Sequence, residues 1–215
     1  IKKKFSKSVK RCQISNSKNL ESLLFLGYLP PVNTLRKIGS TLNEEITFPA
    51  ELLYCRESKL AQLGCIVDKE ILFPYSYPYT SSTTKILREN FAELYRHTNK
   101  IVNLNKNDLI IDIGSNDGNL LSNFKEQHKV LGITPEKIGK LAIKRGIPTI
   151  IDYFNQKTAK KIIKKFGKAK IITATNVFAH IDNINQIVRD VLKVLDKDGV
   201  FISESHYLLP LIKTV

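Results

Sequence analysis

The chain has 215 residues, 42% of them hydrophobic, which suffices for one α/β domain and a small additional module. Its formal charge of +14 raises nucleic acid as a partner, but the lysines are scattered over the polar faces of predicted helices, as in KTAKKIIKKFGKAK (157–170). They form no basic stripe with interleaved aromatics, so the lysines read as a solvated surface, whose positive field would also attract an anionic small substrate such as a sugar nucleotide.

The first ten residues are rich in lysine but lack the apolar segment of a secretory signal, and no apolar run is long enough to span a bilayer. Cys12, Cys55 and Cys65 are too few and too unevenly placed for a disulfide framework. The expectation is a cytoplasmic protein. A chain that begins at Ile1, contains no Met and stops at Val215 also reads as a fragment cut at both ends. Residues 11–84 carry little periodicity, many turn residues (Pro30, Pro31, Gly39, Pro49, Pro74, Pro78) and several tyrosines, which predicts a module of short strands and loops. Ser82, Thr83 or Thr84 is placed to cap a helix reaching about Arg96, with Ile86, Leu87, Phe91, Leu94 and Tyr95 on one face. This helix is read as the joint between module and sheet, giving a division into 1–84, a linker helix over 85–106, and a main domain over 107–215.

From residue 107 onward strand candidates lie at 108–113, 129–133, 148–151, 170–175 and 199–204. Between them are helical faces at Leu120, Leu121 and Phe124, at Ile138, Leu141 and Ala142, and at Ile184, Ile187, Val188, Val191 and Leu192. Strand-helix alternation predicts a parallel sheet covered on both faces, with ligands beyond the carboxyl ends of the strands where their order reverses.

LIIDIGSNDGNLL (109–121) predicts a buried strand turning into a helix. Gly114 supplies backbone angles closed to other residues, and Gly118 lets a ligand approach the helix start. A dinucleotide site prefers G-x-G-x-x-G, and the middle glycine is missing here, which argues against NAD. S-adenosylmethionine carries both an ammonium and a carboxylate at its methionine end, and Asp112, Asn116 and Asp117 suit that pair. The alternative is a loop in which Asn116 and Asp117 only cap the helix. Polar residues at the next strand ends favour the cofactor: Thr134 in GITPE (132–136) for the ribose, Asp152 in IIDYF (150–154) for the adenine amino group, and Asn176 in ATNVFAHI (174–181) at the switch point.

With those pieces in order, the chain resembles the S-adenosylmethionine-dependent sugar C-methyltransferases, which methylate carbon 3 of nucleotide-linked 4-keto-deoxysugars. The likeness runs through LGYLPPVN (26–33), FPAELLYC (48–55), LAQLG (60–64), LFPYSYPYTSSTT (72–84), IDIGSNDGNLL (111–121), TNVFAHI (175–181) and ISESHYL (202–208). It implies a Rossmann-like class I methyltransferase sheet, an N-terminal zinc-binding module, and a C-terminal domain with a Tyr-His-Glu-His stretch that would lie beyond Val215. The chain alone is then expected to bind cofactor and to show little or no turnover.

Two further departures from the family matter. Its zinc module uses two C-x-x-C pairs, whereas this chain reads CQIS and CRES: Cys12 and Cys55 match, and Ser15 and Ser58 replace the other two thiolates. Zinc is therefore expected to be absent or weakly held. At the ribose position, where an acidic residue is common, Thr134 offers a single contact that Glu136 can supplement.

For catalysis, removal of a proton beside a ketone needs a base, and His180 is the only histidine at a strand's carboxyl end beside the turn. Without its context His180 reads as a structural histidine. Tyr77 and Tyr79 are placed to donate to the ketone or to pack on the sugar, with plain aromatic packing as the alternative. Glu204 and His206 end the fifth strand and are read as lining the same cleft. An RNA methyltransferase, a non-catalytic cofactor-binding module and, most weakly, an NAD-dependent sugar enzyme are the competing readings.

Overall fold

The computed structural model describes residues 5–32, 35, 37–41 and 44–214. Asn33, which closes the LGYLPPVN stretch, lies outside the described residues. The chain divides into two compact units, Ile1–Pro78 with Asp182–Asn185, and Tyr79–Ile181 with Gln186–Val215.

The first unit contains β1 (Ser6–Ser8), β2 (Glu21–Leu29), β3 (Phe48–Cys55), β4 (Leu60–Leu63), β5 (Cys65–Val67) and the short helix α1 (Lys69–Leu72). β2, β3 and β4 form an antiparallel sheet in that order, and β1 pairs antiparallel with β5. Residues of FPAELLYC that are buried include Phe48, Leu53 and Cys55. α1 starts at Asp68, whose carboxylate accepts from the Glu70 amide at 2.8 Å, the usual service of an acidic residue to free amides at a helix start. These short strands and turns answer the turn-rich text of residues 11–84.

The second unit contains α2 (Lys85–Ile101), β6 (Leu109–Ile113), β7 (Lys129–Ile133), α3 (Gly139–Lys144), β8 (Thr149–Ile150), α4 (Gln156–Phe166), β9 (Ala169–Thr175), α5 (Ile184–Val194) from Gln186 onward, β10 (Leu195–Glu204) and α6 (Leu208–Thr214). The sheet order is β10-β9-β6-β7-β8 and every pairing is parallel. β6 is flanked by β7 on one side and β9 on the other, so the order reverses at its carboxyl end.

Two apolar clusters cover the faces. Leu109, Ile111 and Ile113 of β6 meet Ile162 of α4 and Val191 of α5, whereas Ile110 of β6 meets Phe91 of α2 and Ala142 of α3. The period-2 alternation of LIIDI thus feeds both layers, as expected of a strand buried on both faces.

Three details differ from the sequence reading. No α-helix follows the glycine turn. Instead Leu121–Asn123 form a single 3₁₀ turn, in which Ser122 Oγ donates to the Gly118 carbonyl at 2.9 Å and the Asn123 amide group donates to the Asn119 and Leu120 carbonyls at 3.2 Å. Side chains of Ser and Asn that compete for backbone groups explain why the helical period of Leu120, Leu121 and Phe124 does not propagate.

Thr84 occupies the cap position of α2 but makes no side-chain capping bond; Arg88 reaches back to the Ser82 carbonyl at 2.5 Å and to the Thr83 carbonyl at 3.2 Å. Ile86, grouped with Leu87, Phe91, Leu94 and Tyr95 on one face, is 77% exposed. Among the described residues no helix is long and apolar enough to cross a membrane.

Candidate functional site

The chain leaves β6 through Gly114 (φ +79°), Asn116 (φ +49°) and Gly118 (φ +80°), three left-handed residues in five. A Cβ on Gly114 would stand 2.3 Å from Val177 Cγ2, and one on Gly118 would stand 2.7 Å from Ile147 Cδ1, so both positions need glycine for angle and for space. The Gly114 and Ser115 amides donate to the Ile133 carbonyl at 2.8 and 3.1 Å, which binds the turn to the end of β7. Ser115 Oγ is buried without a hydrogen-bond partner among the described residues.

Asn116 and Asp117 bind a segment of their own chain. Asn116 Oδ1 accepts from the Ser81 amide at 2.9 Å and its Nδ2 donates to the Tyr79 carbonyl at 3.1 Å. Asp117, fully buried, accepts from Ser81 Oγ at 2.6 Å and from Arg145 Nη1 at 2.8 Å. Burial pushes the Asp117 carboxyl up, but the Ser81, Ser82 and Arg145 contacts outweigh it and hold the group below the ordinary carboxylate value. The two side chains read as cofactor ligands therefore hold residues 79–82 against the turn.

Asp112, one residue before the end of β6, is buried, and Thr173 Oγ1 donates to it at 2.7 Å. Burial in the apolar sheet pushes its carboxyl up to about 7 against that hydrogen bond. At the end of β7, the buried Thr134 hydroxyl donates to Glu136 Oε2 in a short hydrogen bond. A carboxylate thus stands at the strand end from which the sequence expects a ribose contact, supplied two residues after Thr134.

Asp152, just past β8, is exposed, accepts from the Tyr153 amide at 2.7 Å, and lies on the rim of a 440 Å³ depression against β8 that Lys161 and Lys165 also line. The glycine turn does not line that depression. Asn176 (φ +56°) follows β9; its amide group donates to Glu204 Oε1 at 2.9 Å, and Asn90 of α2 donates to Oε2 at the same distance.

His180 closes the 3₁₀ turn Phe178–His180 past β9. Its imidazole is held below the usual value, first by partial desolvation and then by the charge of His206, so it is neutral and able to accept a proton at pH 7. Tyr77 belongs to the first unit and packs on Phe73 with ring centroids 5.5 Å apart, whereas Tyr79 belongs to the second. Burial, with the Asp117 charge, pushes the Tyr79 hydroxyl up.

In the first unit, Cys12 Sγ lies 3.1 Å from Ser58 Oγ, and Cys55 Sγ lies 3.6 Å from Ser15 Oγ. The four side chains of the two short motifs do converge. Two thiols and two neutral hydroxyls do not fit a tetrahedral thiolate zinc site, and among the described residues no three His, Cys, Asp or Glu side chains gather to hold a metal.

Ser81, Arg145 and Asn90 were not anticipated as site residues. A signal for Asn90 exists: it is a polar residue spaced with Leu87 and Leu94 on the inner face of α2. Ser81 sits in the SSTT run, which read only as capping text. Nothing in the sequence singles out Arg145.

Residues 86–210 match the family described as "Methyltransferase domain", and residues 12–73 match one described as "Putative zinc binding domain". The chain is 26% identical over 207 residues to C-methyltransferase NovU of Streptomyces niveus; the match takes in 95% of this chain and 49% of that protein, so the chain spans about half the length of that relative. Among solved structures, a SAM-dependent methyltransferase from Anabaena variabilis is 19% identical, with 55% of this chain and 51% of that chain covered at a TM-score of 0.46. The plantazolicin methyltransferase BpumL, solved with S-adenosylhomocysteine, is 17% identical, with 56% and 48% covered at a TM-score of 0.40. The match over residues 86–210, more than half of the chain, together with a parallel sheet whose order reverses at a glycine turn, makes this chain a member of the methyltransferase-domain family.

Proposed function

We propose that the chain is the cofactor-binding part of a C-methyltransferase acting on carbon 3 of a nucleotide-linked 4-keto-deoxysugar. The observation that carries this reading is the likeness to a C-methyltransferase along 95% of the chain, through the cysteine module and the sheet alike. The motifs that resemble the sugar enzymes, and the positive field that favours an anionic substrate, add to it.

The residues suit the cofactor. Gly114 and Gly118 keep the turn low, Glu136 offers the ribose a carboxylate oxygen, and Asp112 stands at the end of β6. Asp152 and Asn176 are the proposed contacts at the next strand ends. When bound, S-adenosylmethionine supplies an electrophilic methyl group.

The chain's own share begins at His180. A neutral imidazole takes the proton from the carbon beside the ketone, which leaves an enolate. Glu204, held by Asn90 and Asn176, fixes the end of β10 beside the end of β9, and Tyr79 is the hydroxyl proposed to face the developing enolate oxygen. Holding the acceptor carbon in line with the methyl group would supply several kcal/mol of the barrier, on the order suggested by effective molarities.

The test is mass spectrometry of a 4-keto sugar nucleotide incubated with cofactor and with the chain extended by the region the resemblance implies. Deuterium wash-in at carbon 3 reads proton removal separately. Methyl incorporation with wash-in is the expected outcome. Methylation of RNA with no wash-in into any ketosugar would replace this reading with a nucleic-acid one.

A further inference from the structure

CQIS (12–15) and CRES (55–58) each run into the same tight backbone turn. In each, the residue four places after the cysteine is left-handed although it is not glycine: Asn16 at φ +62° and Lys59 at φ +59°. The Ile14 and Ser15 amides both donate to Cys12 Sγ at 3.4 Å, and the Asn16 amide closes on the Cys12 carbonyl at 3.0 Å. Cys12 is 3% exposed and Cys55 is wholly buried. The two motifs face each other through crossed pairs, Cys12 with Ser58 and Cys55 with Ser15.

From this arrangement we infer that the first unit carries a two-thiolate site for a soft monovalent cation of the copper(I) class, made by Cys12 and Cys55. Zinc asks for four good ligands in a tetrahedron, and a neutral hydroxyl is a poor third and fourth. Copper(I) favours soft sulfur, and two thiolates can complete its coordination. On binding, each thiol releases its proton to solvent and each sulfur forms one bond to the metal; no electron is transferred.

The remaining negative charge on sulfur meets donors already in place, the Ser15 and Ser58 hydroxyls and the Ile14 and Ser15 amides. Serine thereby changes role, from missing ligand to hydrogen-bond donor behind the ligand atoms. Cys65, the third buried cysteine, closes no such motif and serves as an internal control.

The experiment is an anaerobic competition titration of the chain against bathocuproine disulfonate loaded with copper(I) under excess reductant, beside a zinc titration against a chromophoric chelator. One copper per chain, an ultraviolet thiolate-to-copper charge-transfer band and weak zinc uptake are expected. Cys12→Ser and Cys55→Ser should each abolish copper capture, while Cys65→Ser retains it. Ser15→Cys with Ser58→Cys should restore tight zinc binding.

The unmutated chain gives a second reading that does not depend on how the variants fold. Copper(I) should protect Cys12 and Cys55 from alkylation, located by peptide mass. Copper capture that survives Cys12→Ser in a folded variant, alkylation unaffected by copper, or zinc held more tightly than copper would each overturn the inference.

Discussion

Replacing Gly114 by alanine tests the turn and its packing at once. The left-handed angle costs a non-glycine residue roughly 1–2 kcal/mol. The new Cβ would stand 2.3 Å from Val177 Cγ2, and overpacking of this kind costs about 1–3 kcal/mol. The sum is a loss of about 2–5 kcal/mol in unfolding free energy.

Val177→Ala removes the colliding methyl and, at a half-buried position, should itself cost about 1 kcal/mol. In the double variant the collision is gone and only the backbone penalty and the lost methyls remain. The two changes should therefore couple by about 1–3 kcal/mol in the relieving direction, well outside the additivity expected of independent sites. Urea unfolding followed by far-ultraviolet circular dichroism supplies all four corners of the cycle. Calorimetric titration with S-adenosylhomocysteine, run in parallel, should show binding lost in Gly114→Val with the helical signal nearly intact. Additive stabilities, or unchanged affinity in Gly114→Val, would refute the argument that this turn is kept low for a ligand.

Asp112→Asn should alter how stability depends on pH. With a carboxyl raised to about 7 in the folded chain against 3.8 when unfolded, the folded form binds the extra proton between those values, so its contribution is complete below 3.8 and lost as pH rises through about 7. The difference between wild type and variant should swing by as much as about 4 kcal/mol across that window, and a flat difference would remove the burial argument. Ser81→Ala should cost about 1.5–3 kcal/mol by stripping the charged, buried Asp117 of its 2.6 Å partner, read by thermal or urea unfolding. His180→Ala in the extended protein should lower turnover more than cofactor affinity, and the wild-type kcat/KM profile should rise on the acid side below 6.5, given the lowered imidazole. Elemental analysis of the chain purified without added metal should find less than one zinc per chain; stoichiometric zinc would mean that another group completes the site.

The sheet was legible because its strands carry strong, simple signals. LIIDI, KVLGI and AKIITAT are apolar runs bounded by turns, and their observed limits fall within a residue of the expected ones. β10 begins at Leu195 rather than near 199 because α5 passes into it directly, with a register break before Val200 that polar residues DKDG disguise as a loop. The helix expected after Gly118 failed for a local reason, since the Ser and Asn side chains between 115 and 123 offer the backbone other partners.

For the site, sequence could identify which residue types stand at each strand end. It could not say that Asn116 and Asp117 turn toward their own chain, because that depends on Ser81, more than thirty residues upstream and held by tertiary packing alone. That CQIS and CRES belong to one locus was implied only by the resemblance to a family with two C-x-x-C pairs, and the structure brings their side chains together.

Asp117 joins three stretches of the second unit: the 79–82 segment through Ser81, the glycine turn that carries it, and the end of α3 through Arg145. Such a shared acceptor has a kinetic consequence. No one of these stretches can lift away without breaking a bond to a buried charge, so their openings are tied to a single event and a single rate. In hydrogen exchange, the Ser81 amide, bonded to Asn116, and the Gly118 amide, bonded to the Ser115 carbonyl, would report that same opening. A loop that looks like surface text in the sequence thereby opens together with the glycine turn, not apart from it.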